Sequence, residues 1–254
     1  MHGCHQLSIE VKTYGESQVI TPVLLHDGDE CILVDCGYPD SIPQLKQAMA
    51  QIGYPLERIT RIIATHHDID HIGSLGALKR LLPDAVIIAH EIEVPYLEGT
   101  LKSQRQEQAE STLPVLPREA VPAAEQFIAL LASIEKVAVD HKVRHGDVLP
   151  WCGDPEVIHT PGHMSGHISL YLPASKTMIA GDAVVIEDGE LHIANPQYTL
   201  DLEEAIASVR RLMSYEIDHL ICYHGGSFQG NVQDALRALV KRYSTTKRTH
   251  KEAE

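Results

Sequence analysis

The sequence predicts an α/β protein built as a four-layer αββα sandwich, in which two mixed β-sheets pack face to face with helices outside. The first observation is the order of the elements, because strands, helices, strands and helices follow one another along the chain. The second is the length of 254 residues with 44% hydrophobic residues, which is enough to bury one large core.

Short apolar segments rich in β-branched residues open the chain, and the turn Asp27-Gly28-Asp29 separates two of them. This pattern predicts an antiparallel meander. Helices are predicted over residues 40–52, where apolar residues recur on one face, and over residues 73–82, before Pro83. The strands predicted for this half of the chain are residues 7–11, 19–25, 31–34, 59–64 and 85–89.

Residues 90 to about 140 have a different character, since they are polar, rich in Gln and Glu, and interrupted by Pro114, Pro117 and Pro122. A helix is predicted over residues 123–136. Because strands resume afterwards with the same pattern, we expect one domain over residues 1–254 with a helical insertion at about 90–140. The later strands are predicted at residues 156–159, 168–172, 177–180 and 217–222, and the later helices at 202–213 and 232–243.

The formal net charge of −14 disfavours a nucleic-acid partner, because phosphate binding requires clustered Lys and Arg. It equally disfavours an anchor on anionic lipid, and no apolar run approaches the roughly 18 residues of a membrane span. The sequence shows no signal-peptide pattern, and its five scattered cysteines fit reduced thiols. We expect a cytoplasmic protein that acts on a small molecule, with no nucleic-acid or membrane partner; a homodimer is compatible with the sequence.

The strongest chemical signal is the segment Thr65-His66-His67-Asp68-Ile69-Asp70-His71, which lies between a buried strand and a helix. Alternate residues of an extended segment project to one side, which groups His66, Asp68 and Asp70. His71 then turns inward where the helix begins. The competing interpretation is a solvated helix N-terminus, where Asp is favoured by capping and by the helix dipole.

Three further segments each follow a strand and present one side chain that can bind metal. His163 follows a Pro-Gly turn, Asp182 follows Ile179-Ala180-Gly181, and His224 precedes two glycines. Each of these residues alone could be an ordinary loop residue. Together they repeat one arrangement, in which an apolar strand carries a metal-binding side chain at its end.

These motifs resemble the metallo-β-lactamase superfamily, whose pattern is H-x-H-x-D-H, a later His, a bridging Asp and a final His. The segment Leu33-Val34-Asp35-Cys36-Gly37 is also similar to an early element of that family. The resemblance covers essentially the whole chain and implies two metal ions. One would be held by His66, Asp68 and His163, the other by Asp70, His71 and His224, with Asp182 bridging both.

One position departs from the family pattern, since Asp68 stands where the family has its second His. A carboxylate oxygen is an accepted zinc ligand and suits harder ions such as manganese, so Asp68 remains a predicted ligand. The neighbouring His67 points the other way in an alternating segment, although a rearranged loop would bring it in instead. We expect two divalent ions, zinc first, with iron or manganese as alternatives.

The resemblance implies a dinuclear metallo-hydrolase in which a metal-bound hydroxide attacks an ester, lactone or thioester. Asp70 and Asp182 are the predicted catalytic residues, and Asp70 is suited to pass a proton to the leaving group. Asp35 is expected to orient a ligating His, and His167 is either a second such partner or a plain strand residue. The segment 90–140 is the predicted wall of the pocket.

Two other functions are compatible with the same residues. One is a mononuclear iron oxidoreductase that resembles the persulfide dioxygenase branch of the family, although Asp68 would disturb its His-rich site. The other is a metal-binding protein without turnover. Metal analysis combined with a broad panel of hydrolysis substrates separates these functions.

Overall fold

Strands and helices alternate along residues 3–13 and 16–251, which are the residues that the computed structural model describes. The strands are β1 (Gly3–Gln6), β2 (Ile9–Thr13), β3 (Glu16–Ile20), β4 (Val23–His26), β5 (Cys31–Val34), β6 (Arg61–Ala64), β7 (Val86–His90), β8 (His141–Val143), β9 (Glu156–His159), β10 (Ile168–Leu172), β11 (Thr177–Gly181), β12 (Val185–Glu187), β13 (Glu190–His192), β14 (His219–Cys222) and β15 (Gly226–Ser227). The helices are α1 (Ile42–Gln51), α2 (Ile69–Ile72), α3 (Leu75–Leu81), α4 (Val94–Leu97), α5 (Gln104–Thr112), α6 (Val121–Ala132), α7 (Leu202–Leu212) and α8 (Val232–Lys251).

Two mixed sheets form the centre of the molecule. The first has the order β1-β4-β5-β6-β7-β8, with antiparallel pairing as far as β5 and parallel pairing from β5 to β8. The second has the order β15-β14-β11-β10-β9, in which only β11 and β14 are parallel. The parallel strands inside the sheets, β5, β6, β7, β11 and β14, are mostly apolar, as expected for strands that are covered on both faces.

Apolar side chains fill three layers between the elements. Successive residues of β6 point to opposite faces, so Ile62 packs under the helices while Ile63 packs against the other sheet. The same alternation directs Ile87 of β7 toward the helices and Ile88 toward the other sheet. Helices α1, α3 and α6 cover the first sheet, and α7 and α8 cover the second. The predicted four-layer αββα sandwich is therefore confirmed.

The opening of the chain differs from the predicted meander. The hairpin of β4 and β5 around Asp27 is confirmed, but the predicted strand 19–25 breaks at Thr21 and Pro22. Pro22 has no N–H to donate, and Thr21 donates its N–H to the carbonyl of Tyr223 at 2.9 Å. The part before the break forms a separate hairpin, β2 with β3, while β1 pairs with β4.

Residues 90–140 contain α4, α5 and α6, whereas the sequence predicted a helix only over residues 123–136, so α4 and α5 were missed. Helix α5 is polar, so it lacks the apolar periodicity that identified α6. Leu97, Leu131 and Val137 of this segment belong to the core cluster beneath the first sheet's helices. None of the helices in the described ranges is both long and apolar enough to cross a bilayer.

Candidate metal centre

The seven predicted side chains come together at the ends of strands from both sheets, in two adjacent groups. His66 follows β6, Asp182 follows β11 and His224 follows β14, while His163 lies in the turn between β9 and β10. We call Asp70, His71, Asp182 and His224 the four-ligand group, and His66, Asp68 and His163 the three-ligand group. Within each group the potential ligand atoms all lie within 4.8 Å of one another.

The four-ligand group alternates imidazole nitrogens with carboxylate oxygens. His71 Nε2 lies 3.5 Å from both Asp70 Oδ2 and Asp182 Oδ1. His224 Nε2 lies 3.1 Å from Asp70 Oδ2 and 3.5 Å from Asp182 Oδ2. His71 is fully buried, whereas the His224 side chain is 29% exposed, so the group opens to solvent on the His224 side.

The three-ligand group lies deeper and is joined to the first group through Asp182. Asp68 Oδ2 is 3.6 Å from His66 Nε2 and 3.1 Å from His163 Nε2. His163 Nε2 is 3.7 Å from Asp182 Oδ2, while the other oxygen of Asp182 faces His71. Asp182 therefore lies between the two groups, which is the position expected of a bridging carboxylate.

Several buried polar atoms of the centre test whether metal ions fit. Within the described residues, His66 Nε2, His71 Nε2 and Asp182 Oδ1 have no hydrogen-bond partner. Buried polar atoms are normally paired, and a metal ion is one partner that imidazole nitrogen and carboxylate oxygen both accept. Since His71 Nε2 and Asp182 Oδ1 both belong to the four-ligand group, this group fits a divalent ion.

Asp35 orients His71, as the sequence analysis expected. Asp35 Oδ1 accepts the backbone N–H of Thr65 at 2.8 Å, and Oδ2 accepts the Thr65 hydroxyl at 2.8 Å and lies 2.8 Å from His71 Nδ1. With Nδ1 protonated and directed at the carboxylate, His71 presents Nε2 to the four-ligand group. Asp35 has a φ of +61°, so its side chain is held in a backbone conformation that non-glycine residues rarely adopt.

His167 supports Asp182, which answers the question that the sequence left open. Its Nε2 accepts the backbone N–H of Asp182 at 2.9 Å, and its Nδ1 lies 2.8 Å from the Thr160 hydroxyl. Gly181, just before Asp182, has a φ of +55°, and a Cβ there would lie 2.7 Å from His167 Nε2. The turn that carries Asp182 therefore requires glycine at position 181.

Tyr223 is a supporting residue that the sequence analysis missed. It is buried at the end of β14, and its hydroxyl donates to the backbone carbonyl of Asp70 at 2.5 Å. Its ring lies 3.9 Å from the His71 ring. The sequence signal that could have identified Tyr223 was its position directly before the predicted ligand His224.

The charges of the centre differ between its two halves. Burial alone would lower the pKa of His224, but Asp182 and Asp70 outweigh it and raise this pKa to about 10. The same carboxylates, with Asp35, raise the pKa of His71 well above its usual value against the effect of burial. Burial and the neighbouring His71 keep the pKa of His66 well below its usual value. The four-ligand group is therefore the half that attracts positive charge more strongly.

Asp68 does not cap the helix that follows it. Its backbone is extended at the N-cap position of α2, but its side chain makes no capping hydrogen bond. Instead, Asp68 Oδ1 and Oδ2 accept Arg105 Nε at 3.2 Å and Arg105 Nη2 at 2.6 Å. Burial opposes the charge of Asp68, but Arg105 and His163 hold the pKa of this carboxyl well below its usual value. Because Arg105 uses both oxygens, the three-ligand group fits a metal ion less directly.

Arg105 was not identified from the sequence. It lies in the first turn of α5, with a side chain only 4% exposed. The available signal was an isolated Arg among Gln and Glu residues in a segment predicted to line the pocket.

His67 faces away from both groups, which argues against the rearranged loop. Its Nδ1 lies 2.5 Å from Glu93 Oε2, and its Nε2 accepts the backbone N–H of Gln104 at 3.2 Å. Its ring stacks on Tyr96 at 4.3 Å. With both ring nitrogens engaged, His67 connects the loop at residues 65–71 to the segment 90–140.

Comparison with known proteins agrees with this geometry. A family model described as the metallo-beta-lactamase superfamily matches residues 19–224. A probable metallo-hydrolase of Bacillus subtilis (strain 168) is 27% identical, over 96% of this chain and 92% of that protein. A hydroxyacylglutathione hydrolase of Rhizobium meliloti (strain 1021) is 28% identical, over 64% of this chain and 46% of that protein.

Solved structures share the fold at lower identity. A metallo-beta-lactamase family protein of Thermus thermophilus aligns with a TM-score of 0.73 and 22% identity, over 96% of this chain and 80% of that chain. A metallo-beta-lactamase of Pontibacter korlensis aligns with a TM-score of 0.65 and 16% identity, over 94% of each chain. At these identities the similarity concerns the fold alone.

Proposed function

Since the chain belongs to the metallo-β-lactamase superfamily, we propose that it is a metal-dependent hydrolase that cleaves an ester, lactone or thioester in a small molecule. The observation that carries the proposal is the pair of adjacent His and carboxylate groups on either side of Asp182. Buried imidazoles and carboxylates so closely gathered, with several atoms lacking partners, are stabilised when a cation joins them.

We assign the first ion to the four-ligand group. Two imidazole nitrogens and two carboxylates suit zinc, and they also suit iron and manganese, so zinc is our first choice rather than the sole one. The orientation of His71 by Asp35 and of Asp182 by His167 supports this assignment, because ligating side chains are normally held by such partners.

We assign the second ion of a dinuclear centre to the three-ligand group, with Asp182 shared between both ions. His66 and His163 present ring nitrogens to this group. Asp68 is ionised but bonded to Arg105, so a second ion binds there only when Arg105 releases the carboxylate.

The chemistry of the proposed reaction divides between the ions and the chain. Divalent ions, when bound, lower the pKa of water and polarise the oxygen of a substrate carbonyl. Asp70 has a 14% exposed side chain, against 6% for Asp182, so it is the carboxylate of its group nearer to solvent. We therefore assign Asp70 to hold a proton and pass it to the leaving group, and Asp182 to fix the geometry of the centre.

We assign the wall of the substrate pocket to α5 and the segment before α7. Gln108 of α5 donates to the carbonyl of Gln197 at 3.0 Å, and Leu200 donates its N–H to the carbonyl of His163 at 3.3 Å. The Tyr198 ring lies 5.2 Å from the Arg105 guanidinium and is 44% exposed. An exposed aromatic ring next to the centre supports a substrate with an apolar acyl or alkyl part.

A thioester has specific support among the candidate substrates. Hydroxyacylglutathione, named as the substrate of one relative, is a thioester, although the alignment spans less than half of that relative. The acidic balance of the chain favours a thiol leaving group of lower negative charge than glutathione. Esters and lactones share the carbonyl chemistry and remain in the proposed class.

A hydrolysis panel tests the proposal. Purified protein would be assayed with aryl esters, lactones, thioesters and phosphodiesters before chelation, after chelation, and after return of zinc, manganese or iron. We expect hydrolysis of at least one carbonyl substrate, its loss on chelation, and its recovery with metal. The exposed Arg118 provides a control variant, Arg118→Gln, that should match the wild type.

Two results would contradict the hydrolase. Protein that binds metal but hydrolyses none of these substrates in any metal is better described as a metal-binding protein without turnover. Protein that contains one iron and consumes oxygen with a persulfide is instead an oxidoreductase.

A further inference from the structure

We propose that Arg105 is a built-in cation of the three-ligand group and competes with a divalent ion for it. The inference rests on the proposed metal centre and assigns different affinities to its two halves. The four-ligand group would bind its ion tightly, and the three-ligand group would bind a second ion only by displacing Arg105.

The contacts of Arg105 overlap the positions that a metal ion would use. Its fork engages both oxygens of Asp68, at 3.2 and 2.6 Å. Its Nη2 also lies 3.5 Å from His163 Nε2, the ring nitrogen directed at the group. The guanidinium therefore lies against two of the three potential ligands.

Arg105 is fixed on its other sides as well. Its Nη1 donates to Gln108 Oε1 at 2.5 Å, and its guanidinium lies over the Tyr198 ring at 5.2 Å. A planar guanidinium held by a bidentate carboxylate, a side-chain amide and an aromatic face is well suited to remain in one place. Displacing it requires all these contacts to be given up together.

Electrostatics favours competition over shared occupancy. The three-ligand group contributes one carboxylate, Asp68, and Arg105 neutralises its charge. A divalent ion added beside the guanidinium would be repelled at close range in a buried site where screening is weak. In the four-ligand group, the carboxylates of Asp70 and Asp182 face imidazoles and, within the part of the chain that the structure describes, no guanidinium. Because an imidazole loses its proton when it binds a metal ion, the negative charge of these carboxylates is available to the ion.

Occupancy of the three-ligand group is thereby linked to the insertion. Arg105 lies one residue after Gln104, whose N–H donates to His67, and two residues after Ser103, which caps α5. Release of Asp68 must change the contacts of the first turn of α5, which is part of the proposed pocket wall. Binding of a second ion and the shape of the proposed pocket would then depend on each other.

Metal titration tests the competition without reference to activity. Metal-stripped wild type and Arg105→Gln would be titrated with zinc against a chromophoric chelator, with ions counted by plasma emission. We expect one tight ion in the wild type and a second ion weaker by on the order of tenfold or more. In Arg105→Gln the second ion should tighten by a similar factor, with the first unchanged.

Two further variants complete the series. Arg105→Lys keeps the charge but loses the fork, so the second ion should bind with intermediate affinity. Gln108→Ala removes the anchor of Nη1 and should tighten the second ion slightly; it decides the question if Arg105→Gln fails to fold. Arg118→Gln, an exposed Arg in the same insertion, should leave both affinities at the wild-type values.

Two ions of equal affinity in the wild type would overturn the inference, as would an unchanged second ion in the folded Arg105 variants or in Gln108→Ala. The proposed hydrolase fails differently, because the metal counts do not depend on turnover. Unequal ions without hydrolysis would retain the role of Arg105 and reject the hydrolase. Two ions of equal affinity together with metal-dependent hydrolysis would reject the role of Arg105 and retain the hydrolase.

Discussion

Asp35 Oδ2 lies 2.8 Å from His71 Nδ1, and this contact determines which nitrogen His71 presents to the candidate metal centre. The proton on Nδ1 is directed to the carboxylate, which leaves Nε2 facing Asp70 and Asp182. Asp35 also accepts two hydrogen bonds from Thr65, so the loop and the ring are oriented by the same carboxylate.

Asp35→Asn should weaken metal binding without removing a ligand. The amide keeps the size of the side chain, but its NH2 group would face the Thr65 hydroxyl or His71 Nδ1. Both of these groups donate to the carboxylate in the wild type and need an acceptor. We expect metal affinity to fall by about 10–100-fold, measured by competition with a chromophoric chelator. Asp147→Asn, on an exposed loop, is the matched control. Wild-type affinity in Asp35→Asn would show that His71 does not depend on this contact.

Asp182→Ala should reduce turnover much more than stability. Asp182 contacts His71, His163 and His224, so its loss would remove a predicted ligand of the four-ligand group and the link between both groups. We expect less metal per chain and hydrolysis reduced by more than about 100-fold, while the free energy of unfolding of the metal-free protein changes by less than about 2 kcal/mol. Plasma emission, initial rates and urea unfolding measure the three quantities. Full metal content with full activity would remove Asp182 from the centre.

His67→Gln should lower stability and leave the metal content unchanged. Both ring nitrogens of His67 are engaged, by Glu93 and by the N–H of Gln104, and its ring stacks on Tyr96. Loss of this buried pairing should cost about 1–3 kcal/mol in urea unfolding. The number of ions per chain should equal that of the wild type. A loss of one ion would instead support the rearranged loop in which His67 is a ligand.

Stability should fall in mild acid through the stacked pair of His90 and His159. Their rings are 4.3 Å apart, and burial together with His159 lowers the pKa of His90 to about 4. The unfolded chain, with a His pKa of about 6.5, takes up the proton first. This contribution to stability is therefore complete above about pH 6.5 and is lost as the pH falls toward 4.

His90→Gln should remove much of this pH dependence. Between about pH 6.5 and pH 4, the free energy of unfolding should fall less steeply in His90→Gln than in the wild type. We expect the two slopes to differ by roughly 1 kcal/mol per pH unit. Urea unfolding at equal metal load measures the slopes, and His219→Gln, at an exposed position, is the control. Identical slopes in wild type and His90→Gln would show that His90 does not contribute.

The layers of the fold and the loops that carry the predicted ligands could be predicted from the sequence, because both depend on local patterns. The alternation of Ile62 and Ile63, and the strand ends before Asp182 and His224, follow directly from strand geometry. The pairing of the opening strands depends on contacts far along the chain, such as Thr21 with Tyr223, which no local pattern contains.

Two features were missed for different reasons. The hairpin of β12 and β13 turns at Asp188 and Gly189, which both have positive φ. Asp-Gly is a strong hairpin signal, so this element was available from the sequence. The hydrogen bond between Arg105 and Asp68 spans 37 residues and joins a polar helix to the loop at residues 65–71, so it becomes visible only in three dimensions.

Anomalous diffraction from zinc-loaded crystals tests the metal centre most directly. Data collected at the zinc edge locate each ion independently of the substrate and of turnover. We predict the strongest peak within the four-ligand group, about 2.0–2.2 Å from His71 Nε2 and from an oxygen of Asp182. A zinc-loaded crystal with no peak in this group, or with its strongest peak at His5 and His26, would contradict the account.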